Sequence, residues 1–191
     1  MYVPAQKLLH RAQGFRRPRG QHGMDTKEQR FVSLVNSLSR ELYYYALGLC
    51  RSPHQAEDLV QETCLRAWRS IEQLQDEKAA RAWLYTILRR EHARLYQRQR
   101  PESRDPARLP EIADQGYDTS TEAQVLRQAL AGLQQDYREP LILQVIGGFS
   151  CDEIGKILGI SASAVMTRLY RARKCLRQTL DPQQESKVGK P

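Results

Sequence analysis

Residues 149–176 constrain the fold more than any other stretch, because two apolar helical stripes meet there at a glycine. Ser150 is a favourable helix cap, and Glu153, three residues later, completes the pattern of a capping box. Gly159 suits the left-handed residue that ends a helix, and Ser161 can cap the next one. The buried faces are predicted to contain Ile154, Ile157 and Leu158 before the glycine and Val165, Leu169, Ala172 and Leu176 after it. A helix, a tight glycine turn and a second helix predict a helix-turn-helix.

The remaining faces of the second helix of this motif are rich in cations. They carry Thr167, Arg168, Tyr170, Arg171, Arg173, Lys174 and Arg177. Arginine and lysine neutralise phosphates, and a bidentate arginine fork can read guanine in the major groove. The alternative is a solvated basic face in an ordinary helical bundle. Caps, turn and charge agree with one another, which favours recognition of a nucleic acid duplex.

Composition supports a polyanionic partner and gives no sign of metal chemistry. The 191 residues include 30 lysines and arginines against 22 acidic residues, a formal charge of +8. The four cysteines lie far apart, with no zinc-type spacing, so we expect buried reduced thiols and no metal site. The sequence has no apolar run of about eighteen residues and no signal-peptide core, so a cytoplasmic location is expected.

The chain divides into five segments by composition and periodicity. Residues 1–26 form a basic arm, interrupted by proline and glycine, and translation could instead start at Met24. Residues 27–100 are helical, residues 101–121 form an acidic, proline-broken linker, residues 122–180 are helical again, and residues 181–191 form a polar tail. No segment alternates strictly, as a half-buried strand does. We therefore predict an all-α fold of two small helical domains joined by a flexible linker.

Several helical stripes within these domains predict the buried faces. In the first domain, the first predicted helix has the buried face Phe31, Leu34, Val35, Leu38, Leu42 and Ala46. The second predicted helix begins at Ser52 or Pro53 and has the buried face Leu59, Val60, Thr63 or Cys64, and Trp68. The third predicted helix begins at about Glu77 and has the buried face Ala79, Ala82, Trp83, Ile87 and Leu88. In the second domain they are Val125, Leu126, Ala129, Leu130 and Leu133, followed by Leu141, Ile142, Val145 and Ile146. Their spacing of three and four residues is that of one helix face.

Both halves of the chain resemble the extracytoplasmic function (ECF) sigma factors of bacterial RNA polymerase. "SCDEIGKILGISASAVMTRLYRARKCL" is similar to their domain four, and "AEDLVQETCLRAWRSIEQL" followed by "ARAWLYTILRREHARL" is similar to their domain two. The resemblance covers roughly residues 27–180. It implies a transcription initiation factor that recognises the −35 and −10 promoter elements.

The second predicted helix of the first domain carries an acidic pair, which indicates a basic partner. Asp58 and Glu62 lie four residues apart, so two like charges share one helix face. The resemblance implies that core polymerase binds Asp58, Gln61, Glu62 and Arg66. The alternative is a solvated face on which Glu62 pairs with Arg66.

The third predicted helix of the first domain combines aromatic and cationic side chains, a mixture that suits the stacking of bases and the binding of the backbone of single-stranded DNA. The resemblance implies that the −10 element contacts Arg81, Trp83, Tyr85, Arg89, Arg90 and Arg94, although Trp83 could equally belong to the core. The family pattern has asparagine at the position of Arg90 and aspartate at that of Arg94. This departure bears on the preferred −10 base.

The −35 element is expected to meet the second helix of the helix-turn-helix. By position in the resembling motif, the candidates for base contacts are Met166, Thr167, Tyr170 and Arg171, and those for phosphate contacts are Arg168, Arg173 and Lys174. Ser163 stands where the family pattern Gly-Thr-Val begins, so its hydroxyl is a further candidate.

The resemblance implies core RNA polymerase, promoter DNA and an anti-sigma factor as partners, with no cofactor and no small-molecule substrate. The alternative function is a helix-turn-helix regulator that acts without core polymerase, with residues 27–100 serving oligomerisation or sensing. An enzyme is not expected. The four histidines, His10, His22, His54 and His92, have no partners at a catalytic spacing, and no phosphate-binding glycine loop occurs.

Overall fold

The computed structural model describes residues 26–74, 76–98 and 120–180, and within these residues every regular element is helical. The α-helices are α1 (Thr26–Cys50), α2 (Pro53–Ser70), α3 (Ala80–Arg98), α4 (Thr121–Gly132), α5 (Gln135–Val145), α6 (Cys151–Leu158) and α7 (Ala162–Leu180), with short 3-10 helices at Ile71–Gln73 and Glu77–Ala79. The predicted all-α fold is confirmed. None of the helices in these described ranges combines the length and the apolar character needed to cross a membrane.

Two compact units make up the chain, with α1 to α3 in the first and α4 to α7 in the second. The predicted limits of the domains stay predictions. Most of the basic arm, including Met24, lies outside the described residues, as do nearly all of the linker and the whole polar tail.

In the first unit the three helices pack pairwise around one core. Ser52 caps α2 by accepting a hydrogen bond from the Gln55 N–H at 3.4 Å, and Pro53 occupies the first turn, as expected. Trp68 is half-buried and meets the ring of Phe31 edge-on, with 5.2 Å between centroids. The largest fully buried side chains are Val35, Leu42, Tyr45, Leu59, Thr63, Leu84, Tyr85 and Leu88.

The predicted buried face of α3 is partly wrong. Ile87 and Leu88 are buried as predicted, but Ala79 is exposed and Ala82 and Trp83 are only half-buried. The buried stripe consists instead of Ala80, Leu84, Tyr85, Ile87, Leu88 and Glu91. The prediction assumed one continuous α-helix from about Glu77, whereas residues Glu77–Ala79 form a 3-10 helix. Because a 3-10 turn has about three residues per turn rather than 3.6, the face on which Ala79 lies does not continue into α3; Ala82 and Trp83 lie within α3, beside its buried stripe.

The second unit is organised around α7, which packs on α4, α5 and α6. The capping box of α6 is formed: the Glu153 N–H donates to Ser150 Oγ at 3.3 Å, and the Ser150 N–H donates to Glu153 Oε2 at 2.9 Å. Gly159 ends α6 with φ 71° and ψ 36°, a left-handed conformation that costs glycine little. Ser161 Oγ then accepts from the Ala164 N–H at 3.2 Å. The structure therefore contains the predicted helix-turn-helix.

Three residues assigned to buried stripes of α4 and α5 are exposed. Val125 and Leu126 are each 44% exposed and Val145 is 73% exposed. Among the residues of α4 whose burial the structure describes, only Ala129 is buried, and Leu133, directly after the helix, is buried as well. In α5 a continuous run of six residues is buried, and it ends before Val145. That run begins with the buried Arg138 and Glu139, and the guanidinium of Arg138 donates to the carbonyl of Leu133 at 3.0 Å.

All four cysteines carry free thiols, but only Cys64 is buried, so the expectation of four buried thiols is wrong for the other three. Burial raises the pKa of the Cys64 thiol to about 12 and that of the half-buried Cys50 to about 11. Both thiols are therefore protonated at neutral pH and poorly nucleophilic.

Candidate nucleic-acid interfaces

One side of α7 is buried and the opposite side is open. Val165, Leu169 and Ala172 face the core, at no more than 2% exposure. The open side carries two large hydrophobic side chains that are exposed to solvent, Met166 at 56% and Tyr170 at 68% exposure. Around them lie the exposed Ser163, Thr167, Arg171, Arg173, Lys174 and Arg177. Hydroxyl, apolar and cationic groups on one helix face can together contact base edges and phosphates in a DNA groove.

The hydroxyl groups at the start of α7 are partly used within the helix. Thr167 Oγ1 donates to the carbonyl of Ser163 at 3.0 Å, and Ser163 Oγ lies 3.0 Å from Ser161 Oγ. A hydroxyl has one hydrogen to donate and two lone pairs. With its hydrogen on the backbone, Thr167 is left with its methyl group and its acceptor lone pairs to offer to a base.

Three arginines of α7 contact polar side chains of α5. Arg168 Nη1 lies 3.6 Å from Asp136 Oδ1, and Arg171 Nη1 donates to Tyr137 Oη at 3.4 Å. The guanidinium of Arg173 donates to Gln144 Oε1. A guanidinium carries five N–H donors, so each contact orients the side chain and leaves donors for DNA. Sequence reasoning missed these three partners on α5, because no local pattern pairs residues about thirty positions apart.

Asp136 places a negative charge beside the cations of α7. Its carboxylate is 73% exposed, so it is available to repel DNA phosphates. We expect Asp136→Asn to tighten binding to all duplexes by roughly two- to fivefold, with a steeper salt dependence. Titration of a labelled duplex at several salt concentrations measures this. The matched control is Glu122→Gln, which removes one exposed charge from α4; an equal gain from the control would show that only net charge matters.

The acidic face predicted on α2 is accessible, with a partner that the sequence analysis did not assign. Asp58 is 61% exposed in its side chain, and its Oδ2 lies 3.1 Å from His54 Nδ1. Gln61 and Glu62 are half-buried. Among the residues that the structure describes, none forms an ion pair with Glu62, so the alternative in which Glu62 pairs with Arg66 is not what is found.

Arg66 instead pairs with a buried carboxylate on α3. Its Nε lies 3.2 Å from Glu91 Oε1, and Arg94 Nη1 donates to the same oxygen at 3.0 Å. Glu91 is only 6% exposed. Sequence reasoning did not include Glu91 in any site, although an acidic residue on the apolar stripe Leu84, Leu88 was a usable signal.

The candidate −10 residues of α3 divide by exposure. Arg90 and Arg94 are exposed, while Trp83 and Arg89 are half-buried. Arg81 is half-buried and forms an ion pair with Glu41 of α1.

Tyr85 has to be withdrawn from the DNA-facing set. It is fully buried and packs on Tyr45, with 5.0 Å between ring centroids. Burial, followed by the nearby charge of Glu41, raises the pKa of its hydroxyl well above the ordinary value. An aromatic ring among cations was compatible with either base stacking or the core, and the helix phase puts this one in the core.

Comparison with known proteins agrees with this division into two regions. The Sigma-70 region 2 family matches residues 34–102, and the Sigma-70, region 4 family matches residues 123–176. The ECF RNA polymerase sigma factor EcfG of Rhodopseudomonas palustris is 36% identical over 139 residues, which is 71% of this chain and 77% of that protein. The ECF RNA polymerase sigma factor SigL of Mycobacterium tuberculosis is 36% identical over 156 residues, 78% of this chain and 87% of that protein.

A solved structure is also similar, that of the sigma factor RpoE in complex with the anti-sigma factor NepR from Bartonella quintana. The similarity has a TM-score of 0.67 and 28% identity, and it covers 81% of this chain and 99% of RpoE. The helical architecture, the exposed face of α7 and the relatives agree: the chain belongs to the ECF family of RNA polymerase sigma factors.

Proposed function

We propose that this protein is an alternative sigma factor that binds core RNA polymerase through α2 and directs it to promoters through α3 and α7. The observation that carries the proposal is the open face of α7, where Met166 and Tyr170 stand in solvent among cations. Large apolar side chains that are exposed on a helix face in the free protein mark a surface that a binding partner covers. The surrounding positive charge selects DNA as that partner.

At the −35 element we propose that α7 enters the major groove. In this arrangement Met166, Thr167, Tyr170 and Arg171 contact bases, while Arg168, Arg173, Lys174 and the Ser163 hydroxyl contact phosphates. Support comes from the exposure of all of them except the half-buried Arg168 on the side of the helix opposite the buried Val165, Leu169 and Ala172. The contacts from α5 hold three of the arginines near this side.

At the −10 element we propose that Trp83, Arg89, Arg90 and Arg94 follow the displaced single strand. Their mixture of an aromatic ring with cations suits stacking and backbone contact. Arg81 contributes only the donors that Glu41 leaves unused. Core polymerase is proposed to contact Asp58, Gln61, Glu62 and Arg66, which follow one another along one side of α2.

An anti-sigma factor is a further proposed partner, because the similar RpoE of Bartonella quintana was solved in complex with one. We also propose that the protein acts in the cytoplasm, where core polymerase and promoter DNA meet, and that it contributes binding rather than bond-making chemistry.

Run-off transcription with core polymerase and a genomic fragment library tests the proposal directly. We expect new transcription starts that share two spaced sequence elements and that depend on added protein. A second sigma factor serves as the positive control for the core enzyme. If no such starts occur while the protein alone binds specific duplexes, the chain is a helix-turn-helix regulator that acts without polymerase.

Arg171 provides the test of base reading by α7. We expect Arg171→Ala to weaken promoter binding by about 1–3 kcal/mol and to change the preferred base at one −35 position, since a bidentate contact discriminates between bases. Binding of holoenzyme to a set of −35 variants measures both effects. Arg177→Ala, which removes the same charge from the last turn of α7, is the control. An equal loss on every sequence would instead assign Arg171 to phosphate contact.

A further inference from the structure

Glu91 joins two arginines that come from different helices. Its Oε1 lies 3.2 Å from Arg66 Nε of α2 and 3.0 Å from Arg94 Nη1 of α3. The side chain of Glu91 is 7% exposed, whereas Arg66 is 41% and Arg94 is 51% exposed. The carboxylate is thus inside the unit, and both guanidinium groups reach from it to the surface.

A buried carboxylate is stable only when cations or hydrogen-bond donors replace the water that it has lost. The two arginines serve that purpose here. The cluster of Arg66, Glu91 and Arg94 holds two positive charges and one negative charge, so it retains a net charge of about +1 for an outside partner. Loss of either arginine leaves the cluster neutral.

The two arginines extend from the two proposed binding faces of the first unit. Arg66 follows Glu62 by four residues and Asp58 by eight, so it lies on their side of α2. Arg94 follows the exposed Arg90 by four residues and lies on its side of α3. The polymerase-facing side of α2 and the DNA-facing side of α3 are therefore connected through one buried carboxylate.

We propose that Glu91 is a positioning residue that holds Arg94 ready for the −10 strand and couples it to Arg66. The proposal rests on the function proposed above for α2 and α3. Arg94 donates one N–H to Glu91, whereas Arg66 is held by the charge of the ion pair, with its Nε 3.2 Å from Glu91 Oε1 but making no hydrogen bond, so both guanidinium groups keep donors for a partner. Because each side chain is ordered before binding, less conformational entropy is lost when DNA or polymerase arrives.

The shared carboxylate also gives the coupling a sign. While Arg66 stays paired with Glu91, it takes up part of the negative charge of that carboxylate, and loss of Arg66 leaves the whole charge of Glu91 to Arg94. Arg94 then meets a phosphate as a neutralised pair, and its attraction for the strand falls. By linkage, a strand that draws Arg94 away strengthens the hold of Glu91 on Arg66 by the same factor.

The first experiment uses holoenzyme and a pool of single-stranded oligonucleotides with a short randomised tract. Glu91→Gln keeps the side-chain shape and an acceptor oxygen but removes the charge. We expect discrimination between bases to fall about tenfold, because a phosphate contact fixes the register of the strand and Arg94 loses the charged partner that positions it for that contact. Binding to unselected strands should rise, with a steeper salt dependence, because the cluster gains a positive charge. If the affinities for the selected and the unselected oligonucleotides changed by the same factor, the proposal would be overturned, because such a change would indicate general destabilisation of the protein.

The second experiment tests the link without changing Glu91. Arg66→Met is expected to weaken single-strand binding by preformed holoenzyme by roughly fivefold, although Arg66 lies on the other face. Arg69→Met removes the same charge from an exposed position of α2 and is expected to leave binding within about twofold. Equal effects of the two variants would overturn the coupling.

A double-mutant cycle of Arg66→Met with Arg94→Met completes the test and does not require that the Glu91 variant folds. We expect the two effects on single-strand binding to be strongly non-additive, as for residues that share one partner. Additive effects, with wild-type holoenzyme binding the pool normally, would overturn this inference alone. Failure of wild-type holoenzyme to select any sequence would overturn the proposed function and this inference together.

Discussion

Gly155→Ala is expected to lower the free energy of unfolding of the second unit by about 2–3 kcal/mol and to abolish specific duplex binding. Gly155 is buried in α6, and a methyl group on it would lie 2.7 Å from the carbonyl oxygen of Ile160. That oxygen is backbone in the turn between α6 and α7, so it cannot swing aside as a side chain can. The turn would have to open, which changes the direction of α7 relative to α6. Urea unfolding and duplex titration measure the two effects.

Gly132→Ala is the matched control for this change. A methyl group at Gly132, in the last turn of α4, would meet nothing within 4 Å. We expect it to raise the unfolding free energy by about 0.4–1 kcal/mol, because alanine restricts the unfolded chain. If Gly155→Ala were as stable as wild type, the close approach of α6 to the turn would not be a requirement of the motif.

Reversing both charges of the acidic pair on α2 should have a comparably large effect on polymerase binding. We expect the double change Asp58→Lys and Glu62→Lys to weaken affinity for core polymerase by about 3 kcal/mol, or roughly 100-fold. Two attractive contacts become repulsive, and the new lysine at position 58 also faces His54, which now lies 3.1 Å from the carboxylate. Competition with a labelled wild-type protein for core polymerase measures the loss.

Duplex binding by α7 provides the internal control for the charge reversal. It should not change, because the substitutions lie in the other compact unit. Glu122→Lys, at an exposed position of α4, tests whether a reversed charge elsewhere affects polymerase. Wild-type affinity of the double variant for core polymerase would contradict the assignment of α2 as the polymerase-binding helix.

The helix-turn-helix was predictable from sequence because its determinants are local. Ser150, Glu153, Gly159 and Ser161 act on backbone groups within four residues of themselves, and the structure contains each of these features. The start of α3 was not predictable by periodicity, since the 3-10 turn at Glu77–Ala79 breaks the phase that periodicity assumes. Local chemistry determined the first case, and backbone geometry without a clear sequence signal determined the second.

For the binding faces, residue types were predictable but partners were not. The pattern that placed Arg81, Arg66 and Arg171 on candidate faces contains nothing about Glu41, Glu91 or Tyr137, which approach them only after the helices pack. The burial of Tyr85 depends in the same way on packing, against Tyr45. Ion pairs and ring contacts between helices follow from tertiary structure, and a single sequence does not specify them.

The exposure of Met166 and Tyr170 has a calorimetric consequence. Docking of α7 in a groove removes this apolar surface from water, and burial of apolar surface lowers the heat capacity. The enthalpy of promoter association must then become more favourable as the temperature rises. A recognition helix built only from arginine and lysine would lack this contribution, so the temperature dependence of binding reports how closely these two side chains approach the DNA.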